Sequence, residues 1–176
     1  VDGGSTDGTV DVARRYGVRV VRQLGRGKAD AIWTALKYVD TPYMLVMDGD
    51  YSYPAKYVPI LIEEITSTGA DEVIGVRIPQ PGSQGLVYRL GNRLLTWAFN
   101  LLFSTRLHDV LSGMYIIRTE ALRDAVMEVG DFSIEAQIVA HMVSTGKTVR
   151  EVPIEYRPRV GRKKLGVFDG VKIFMD

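Results

Sequence analysis

Apolar positions recur at two alternating spacings along the first 77 residues. In "TVDVARRYG", Val10, Ala13 and Tyr16 fall at helical spacing behind the N-cap candidates Ser5, Thr6 and Asp7, and Gly17 supplies a stop. "VRVVR" (18–22) reads as a short strand. "GKADAIWTALKYVD" carries Ile32, Trp33, Leu36 and Val39 on one helical face. "YMLVM" is an unbroken apolar run and predicts a strand buried on both faces. Pro54 opens another helix, with Ile60, Leu61 and Ile65 inward and Gly69 at its end. "DEVIGVR" is the next strand. Strands alternating with helices predict βαβ units on a parallel sheet.

Beyond residue 77 the pattern changes. "IPQPGSQG" is a Pro/Gly loop, and an apolar helix follows from Leu86 to Phe103, with Arg89 and Arg93 one turn apart. "MYIIR" is a strand, and helical patterns cover roughly 119–128 and 133–145. "TVREVPIEYRPR" reads as a strand interrupted by Pro153, which suits an edge position. The opening "VDGGSTDGT" looks like the end of a strand whose beginning is missing, and "FDGVKIFMD" like a helix cut short. The expectation is a single domain over 1–176, truncated at its N-terminus and at its C-terminus.

Composition narrows the chemistry. The hydrophobic fraction of 46% and charged fraction of 24% are ordinary for a globular domain. A formal net charge of +1 gives no bulk argument for nucleic acid, which is not expected as a partner. The absence of cysteine excludes disulfides and cysteine-ligated zinc. No apolar stretch reaches membrane-spanning length, and no signal peptide is visible.

Two strand ends carry acidic residues. In an open α/β sheet, ligands bind outside the carboxyl ends of the strands. Asp2 lies at one such end, in "DGGSTDGT", where backbone N–H groups and a helix start suit anionic ligand groups; a capped helix after a tight turn reads equally well. Asp48-Gly49-Asp50 lies at another. A hard divalent cation takes one or two carboxylates and fills its remaining positions with phosphates and water. Two aspartates across one glycine can serve it, and the glycine lets a phosphate approach the backbone. Arg77, Arg89, Arg93 and the cluster Arg157, Arg159, Arg162, Lys163 and Lys164 are local basic sites in a near-neutral chain. They suit phosphates, an anionic membrane surface or a solvated face. Glu135 lies early in a helix, either to favour its dipole or to face a site.

In this order the motifs resemble the family 2 glycosyltransferases with the GT-A fold. Among these they are most similar to the dolichol-phosphate mannose synthase type of polyprenyl-phosphate sugar transferase. The matching stretches are "VDGGSTDGT", "GRGKADAI", "VMDGDYSYP", "GVR", "HDVLSGMYIIR" and "EVPIEYRPRVGRKKL". The chain departs from the family pattern at Gly3, Ala29, Ser52, Arg93 and Lys163. The resemblance implies a Rossmann-like, mixed and mainly parallel sheet flanked by helices and lacking its first strand. It assigns Asp2, Ser5, Asp7, Lys28, Asp48, Gly49 and Arg77 to the nucleotide sugar. Asp48 and Asp50 go to Mg²⁺ or Mn²⁺, with Ser52 in a metal-binding glutamine's place. Arg77, Arg89, Arg93, Arg159 and Lys164 go to an acceptor phosphate.

The implied reaction is inverting transfer of a hexose, mannose or glucose, from a GDP- or UDP-sugar to a polyprenyl or dolichyl phosphate. It would take place at the cytoplasmic face of the membrane, with Asp50, Arg89 and Arg159 as its catalytic residues. The helix 86–103, with Trp97, Phe99 and Phe103, would then lie at the bilayer interface or pack in the core. Two alternatives stay open. A glycan or other hydroxyl acceptor requires a general base, for which Asp109 and Glu135 are the candidates. The other is a non-catalytic, membrane-associated domain that binds nucleotide sugar.

Overall fold

Gly69, in the left-handed region at φ 69°, ends a helix and turns the chain straight into the strand that carries Arg77. Only glycine enters that region without strain. The computed structural model describes residues 1–125 and 133–160. In chain order they form α1 (Thr9–Arg15), α2 (Gly27–Leu36), β1 (Tyr43–Met47), a short 3₁₀ turn (Ala55–Tyr57), α3 (Val58–Thr68), β2 (Glu72–Pro79), α4 (Leu86–Phe103), β3 (Met114–Arg118), α5 (Thr119–Arg123), α6 (Ile134–Ser144) and β4 (Val149–Tyr156).

The four strands make one sheet in the order β1-β3-β2-β4. β3 pairs antiparallel with both β1 and β2, whereas β2 and β4 are parallel. So β1, β2 and β4 share one direction and β3 opposes them. Alternate residues of β3 serve opposite faces. Tyr115 and Ile117 pack with Ile32 and Leu36 of α2 and Ile138 and Met142 of α6. Met114 and Ile116 pack with Leu61 and Ile65 of α3. Phe99 of α4 joins Ile74 and Val139 beside the first group. Helices therefore cover both faces.

Several sequence expectations change. Residues 18–22 form no strand; Arg22 alone bridges to Asp2, with Asp2 N–H donating to Val21 O (2.8 Å). β1 packs on both faces, Met44 and Val46 with α2 and α6 and Tyr43 and Leu45 with α3, but only Met44 is fully buried and Met47, at the strand end, is exposed. Tyr16 and Ile60 point outward, and α1 buries nothing. Pro153 does not interrupt β4, which runs through it opposite Val76 at the other edge. In α4, Phe99 is core while Trp97 is 61% exposed. The 119–128 helix is Thr119–Arg123 within the described residues.

Glu72 is the exception inside this core. Its side chain is 1% exposed, and Oε2 has no hydrogen-bond partner. Burial alone pushes its carboxyl from 4.5 up to about 8. A raised folded value means that the native state holds the proton longer than the unfolded chain. Glu72's contribution is therefore most favourable below the unfolded value and is lost as pH rises through about 8. Glu72→Gln carries no such charge. Its melting temperature should stay close to wild type at pH 5 and exceed it at pH 9 by roughly 10 °C or more, at about 2–4 °C per kcal/mol. Scanning calorimetry at the two pH values checks this.

Candidate active site

Pairing of β1 with β3 sets Met47 opposite Met114 and so brings Asp48 beside Gly113. A Cβ at Gly113 would collide with the Asp48 carboxylate. Gly113 N–H donates to Tyr53 Oη (2.7 Å), and Ser112 Oγ–H donates to Gly75 O (2.5 Å), which fixes the entry to β3. Burial pushes the Tyr53 phenol up, so it stays protonated.

Lys28 Nζ reaches Asp48 Oδ1 at 2.6 Å and Glu135 Oε1 at 2.5 Å. Burial opposes its charge, but the Glu135 and Asp48 carboxylates outweigh that and hold the ammonium above its ordinary value. Glu135 also accepts the Ser133 hydroxyl. Asp50 Oδ1 accepts the Ser52 N–H (3.1 Å) and the Ser52 hydroxyl, and Oδ2 meets Arg159 Nε at 3.0 Å. The segment after β4 is strapped to this loop, with Arg157 N–H donating to Ser52 O (2.9 Å) and Val160 N–H to Asp50 O (3.0 Å). Thus Lys28, Asp48, Asp50, Glu135 and Arg159 meet at one end of the sheet. Ser52 is fully buried and braces Asp50.

Asp2, Ser5 and Asp7 form a separate loop. Asp2 accepts Gly4 N–H (2.9 Å) and the Ser5 hydroxyl (2.5 Å); the hydroxyl first, then the N–H groups, holds its carboxyl below the usual range. Asp7 accepts Thr9 N–H at 3.1 Å. No hydrogen bond or ion pair among the described residues joins these three to the Asp48 end.

A cleft of about 260 Å³ lies between the end of β2, α4 and the loop before β3. Arg77, Arg89, Arg93 and Asp109 all line it. Arg77 grips Asp109 with two bonds, Nε to Oδ2 (2.6 Å) and Nη2 to Oδ1 (2.7 Å), and both side chains are about nine-tenths buried. The guanidinium also lies over the Tyr156 ring, which meets Tyr53 edge-on. Arg77 is therefore largely spent on holding the site together. Arg89 and Arg93 are exposed and have no side-chain hydrogen bond or ion pair among the described residues.

Sequence reasoning had assigned no role to Gly113, Tyr53 or Glu151, although each stands inside a quoted motif. Their signal is spatial, since each acts on a residue far away in the chain. Gly49 is exposed at the tip of the loop. Lys164 lies outside the described residues.

A family model described as glycosyl transferase family 2 matches residues 1–126. The chain belongs to that family. It is 35% identical over 162 residues to glycosyltransferase AglJ of Haloferax volcanii, covering 90% of this chain and 53% of that protein. It is 32% identical over 169 residues to the dolichyl-phosphate hexose transferase of the same organism, covering 95% of this chain and 73% of that protein. The chain thus spans about half the length of the first relative. Among solved structures it superposes on glucosyl-3-phosphoglycerate synthase from Mycobacterium tuberculosis in complex with Mn²⁺, UDP-glucose and phosphoglyceric acid. The TM-score there is 0.75 at 23% identity, covering 98% of this chain and 63% of that one. That likeness establishes the GT-A fold for this family 2 chain.

Because the side chain blocking a Cβ at Gly113 is the Asp48 carboxylate, Gly113→Ala should displace Asp48 rather than disrupt the core. The expected outcome is a loss of divalent-ion-dependent nucleotide binding by at least about tenfold, or ~1.4 kcal/mol, with the fold retained. Calorimetric titration with GDP or UDP and Mn²⁺, beside a circular-dichroism melt, measures both.

Proposed function

We propose that this chain is the catalytic part of an inverting hexosyltransferase. It moves mannose or glucose from a GDP-Man- or UDP-Glc-type donor to a polyprenyl or dolichyl phosphate, with Mg²⁺ or Mn²⁺, at the cytoplasmic face of a membrane. The observation that carries the reading is the arginine-lined cleft at the end of the sheet that also carries the aspartate pair. There Arg89 and Arg93, unpaired among the described residues, stand on a helix whose outward side is apolar. The name of the 32% identical dolichyl-phosphate hexose transferase supports the same acceptor class.

The donor set fits a hard divalent ion. Asp48 and Asp50 offer carboxylate oxygens one residue apart, and no group of three His, Cys, Asp or Glu among the described residues competes as a site. Two carboxylates leave room for diphosphate oxygens, as Mg²⁺ and Mn²⁺ chemistry prefers. When bound, the ion neutralises charge on the departing nucleoside diphosphate. Lys28 and Arg159, each already against one of these aspartates, add positive charge on that side. The acceptor's phosphate oxygen forms the new bond to the anomeric carbon from the opposite face. The bond to the diphosphate breaks, and its electron pair stays with the diphosphate oxygen.

A phosphate acceptor is already ionised and needs positioning rather than a base. A hydroxyl acceptor needs a free base, yet Asp109 is bound by Arg77, and Glu135 by Lys28 and Ser133. The base candidates are thus both committed, which favours the lipid phosphate.

The membrane contact falls to α4. Leu86, Val87, Leu90, Leu94, Trp97 and Leu101 are all exposed along one stripe, and the helix carries two arginines and no acid. No described helix is long and apolar enough to cross a membrane. An amphipathic helix with Trp and Leu on one side and Arg beside them suits the interface of an anionic bilayer.

Full-length protein screened with GDP- and UDP-sugars and undecaprenyl or dolichyl phosphate, with and without Mg²⁺ or Mn²⁺, should show metal-dependent hexosyl transfer. Absence of turnover with every lipid phosphate overturns the reading. Arg159→Lys should slow transfer by about one to two powers of ten, the worth of a 1.5–3 kcal/mol charge-assisted contact. Steady-state rates at matched lipid and metal decide it, and equal rates would remove Arg159 from the site. Replacing Leu90 and Trp97 together by Asp should cut the fraction bound to anionic vesicles severalfold in sedimentation. Unchanged binding would move the membrane contact away from α4.

A further inference from the structure

The arginine-lined cleft contains one more ionisable side chain, His108. Its ring is 77% exposed and yet anchored. Nδ1 lies 2.7 Å from Glu151 Oε2, and its backbone N–H donates to Glu151 Oε1 at 2.7 Å. The same Oε1 accepts Asp109 N–H at 3.1 Å. Glu151 is only 14% exposed and belongs to β4, opposite Ile74. A rigid strand thus sends a largely buried carboxylate to hold an exposed imidazole.

Exposure alone does not call for this. Fixing an exposed side chain costs rotamer freedom, and an exposed ion pair returns little. With Nδ1 committed to Glu151, Nε2 is the ring atom left for a ligand. The cleft's other charges define that ligand. Asp109 is neutralised by Arg77, so Arg89 and Arg93 remain as unmatched cations, with Asn92 and Thr96 as polar neighbours.

We propose that His108, oriented by Glu151, is a contact for the acceptor's phosphate group in this cleft. The inference rests on the reading that the acceptor is a polyprenyl phosphate. The ring offers Nε2 to a phosphate oxygen while Glu151 holds Nδ1. Glu151 is a positioning residue: it acts through His108 and touches no substrate. It also accepts the backbone N–H of Asp109, whose carboxylate Arg77 grips.

The test uses full-length protein with His108→Gln, Glu151→Gln and the double variant. Farnesyl phosphate and inorganic phosphate are titrated by calorimetry, and steady-state kinetics are run with undecaprenyl phosphate. Each single variant is expected to raise both the farnesyl phosphate Kd and the lipid KM by about tenfold, the loss of one charge-assisted contact. Donor KM and kcat should stay within about twofold, and the double variant should be no worse than either single one, because the two residues act as a unit. An unchanged Kd in His108→Gln overturns the proposal, and so does a multiplicative double variant. A fall in kcat at constant lipid KM also overturns it, by marking Glu151 as structural. If wild type binds farnesyl phosphate through His108 but transfers no sugar to any polyprenyl phosphate, the contact stands and the proposed reaction falls. Inorganic phosphate binding as tightly as farnesyl phosphate supports the contact and assigns recognition to the phosphate group without its chain.

Discussion

The site depends on β3 running antiparallel between β1 and β2. Because β3 opposes its neighbours, its first residues lie at the end of the sheet where β1 and β2 finish. Gly113 therefore arrives beside Asp48, and Ser112 can reach Gly75 on β2. The loop before β3 brings Asp109 to Arg77 at the same end. In an all-parallel order those residues would sit at the far end of the molecule. One reversed strand thus gathers residues from 32 to 65 positions apart in the chain.

Much of the charge at this end is matched locally, with Lys28 shared between Asp48 and Glu135. Asp48 faces Lys28, Asp50 faces Arg159, and Asp109 faces Arg77. Local matching explains how a chain of net charge +1 assembles a crowded ionic site without a strong overall field. The pairs differ in burial, and so in what they can do. Arg77 and Asp109 are about nine-tenths buried, and removing either would strand a charge at severe cost, so this pair is framework. Lys28, Asp48 and Arg159 keep a third or more of their side chains in solvent and are free to exchange partners with an incoming charged group.

Much of this was legible in the chain. α4 matches its apolar pattern from Leu86 to Phe103, and β3 matches "MYIIR", because both signals are long or unbroken. The short strand read at 18–22 reduces to one bridge at Arg22, since apolar alternation gives propensity and a ladder also needs a partner. The direction of β3 was not legible, because a short apolar run such as Met114 to Ile117 reads the same in either sense. For the site, Asp48 and Asp50 stood out as acids at a strand end. The partners that orient them did not: Gly113 and Tyr53 act through contacts set only by strand register. Glu151 looked like an ordinary polar position on an edge strand, and its role appears only once β4 lies beside the loop at His108.

Pro153 has a consequence beyond tolerating the edge. β4 ends the described sheet, and an edge strand offers its outward N–H and C=O groups to any passing strand. Proline has no N–H to give, so the row of donors on this strand is broken at its middle. An exposed β-edge invites stacking of one copy on the next. The proline that the catalytic end never touches thus guards against aggregation, keeping this edge from becoming a template for growth.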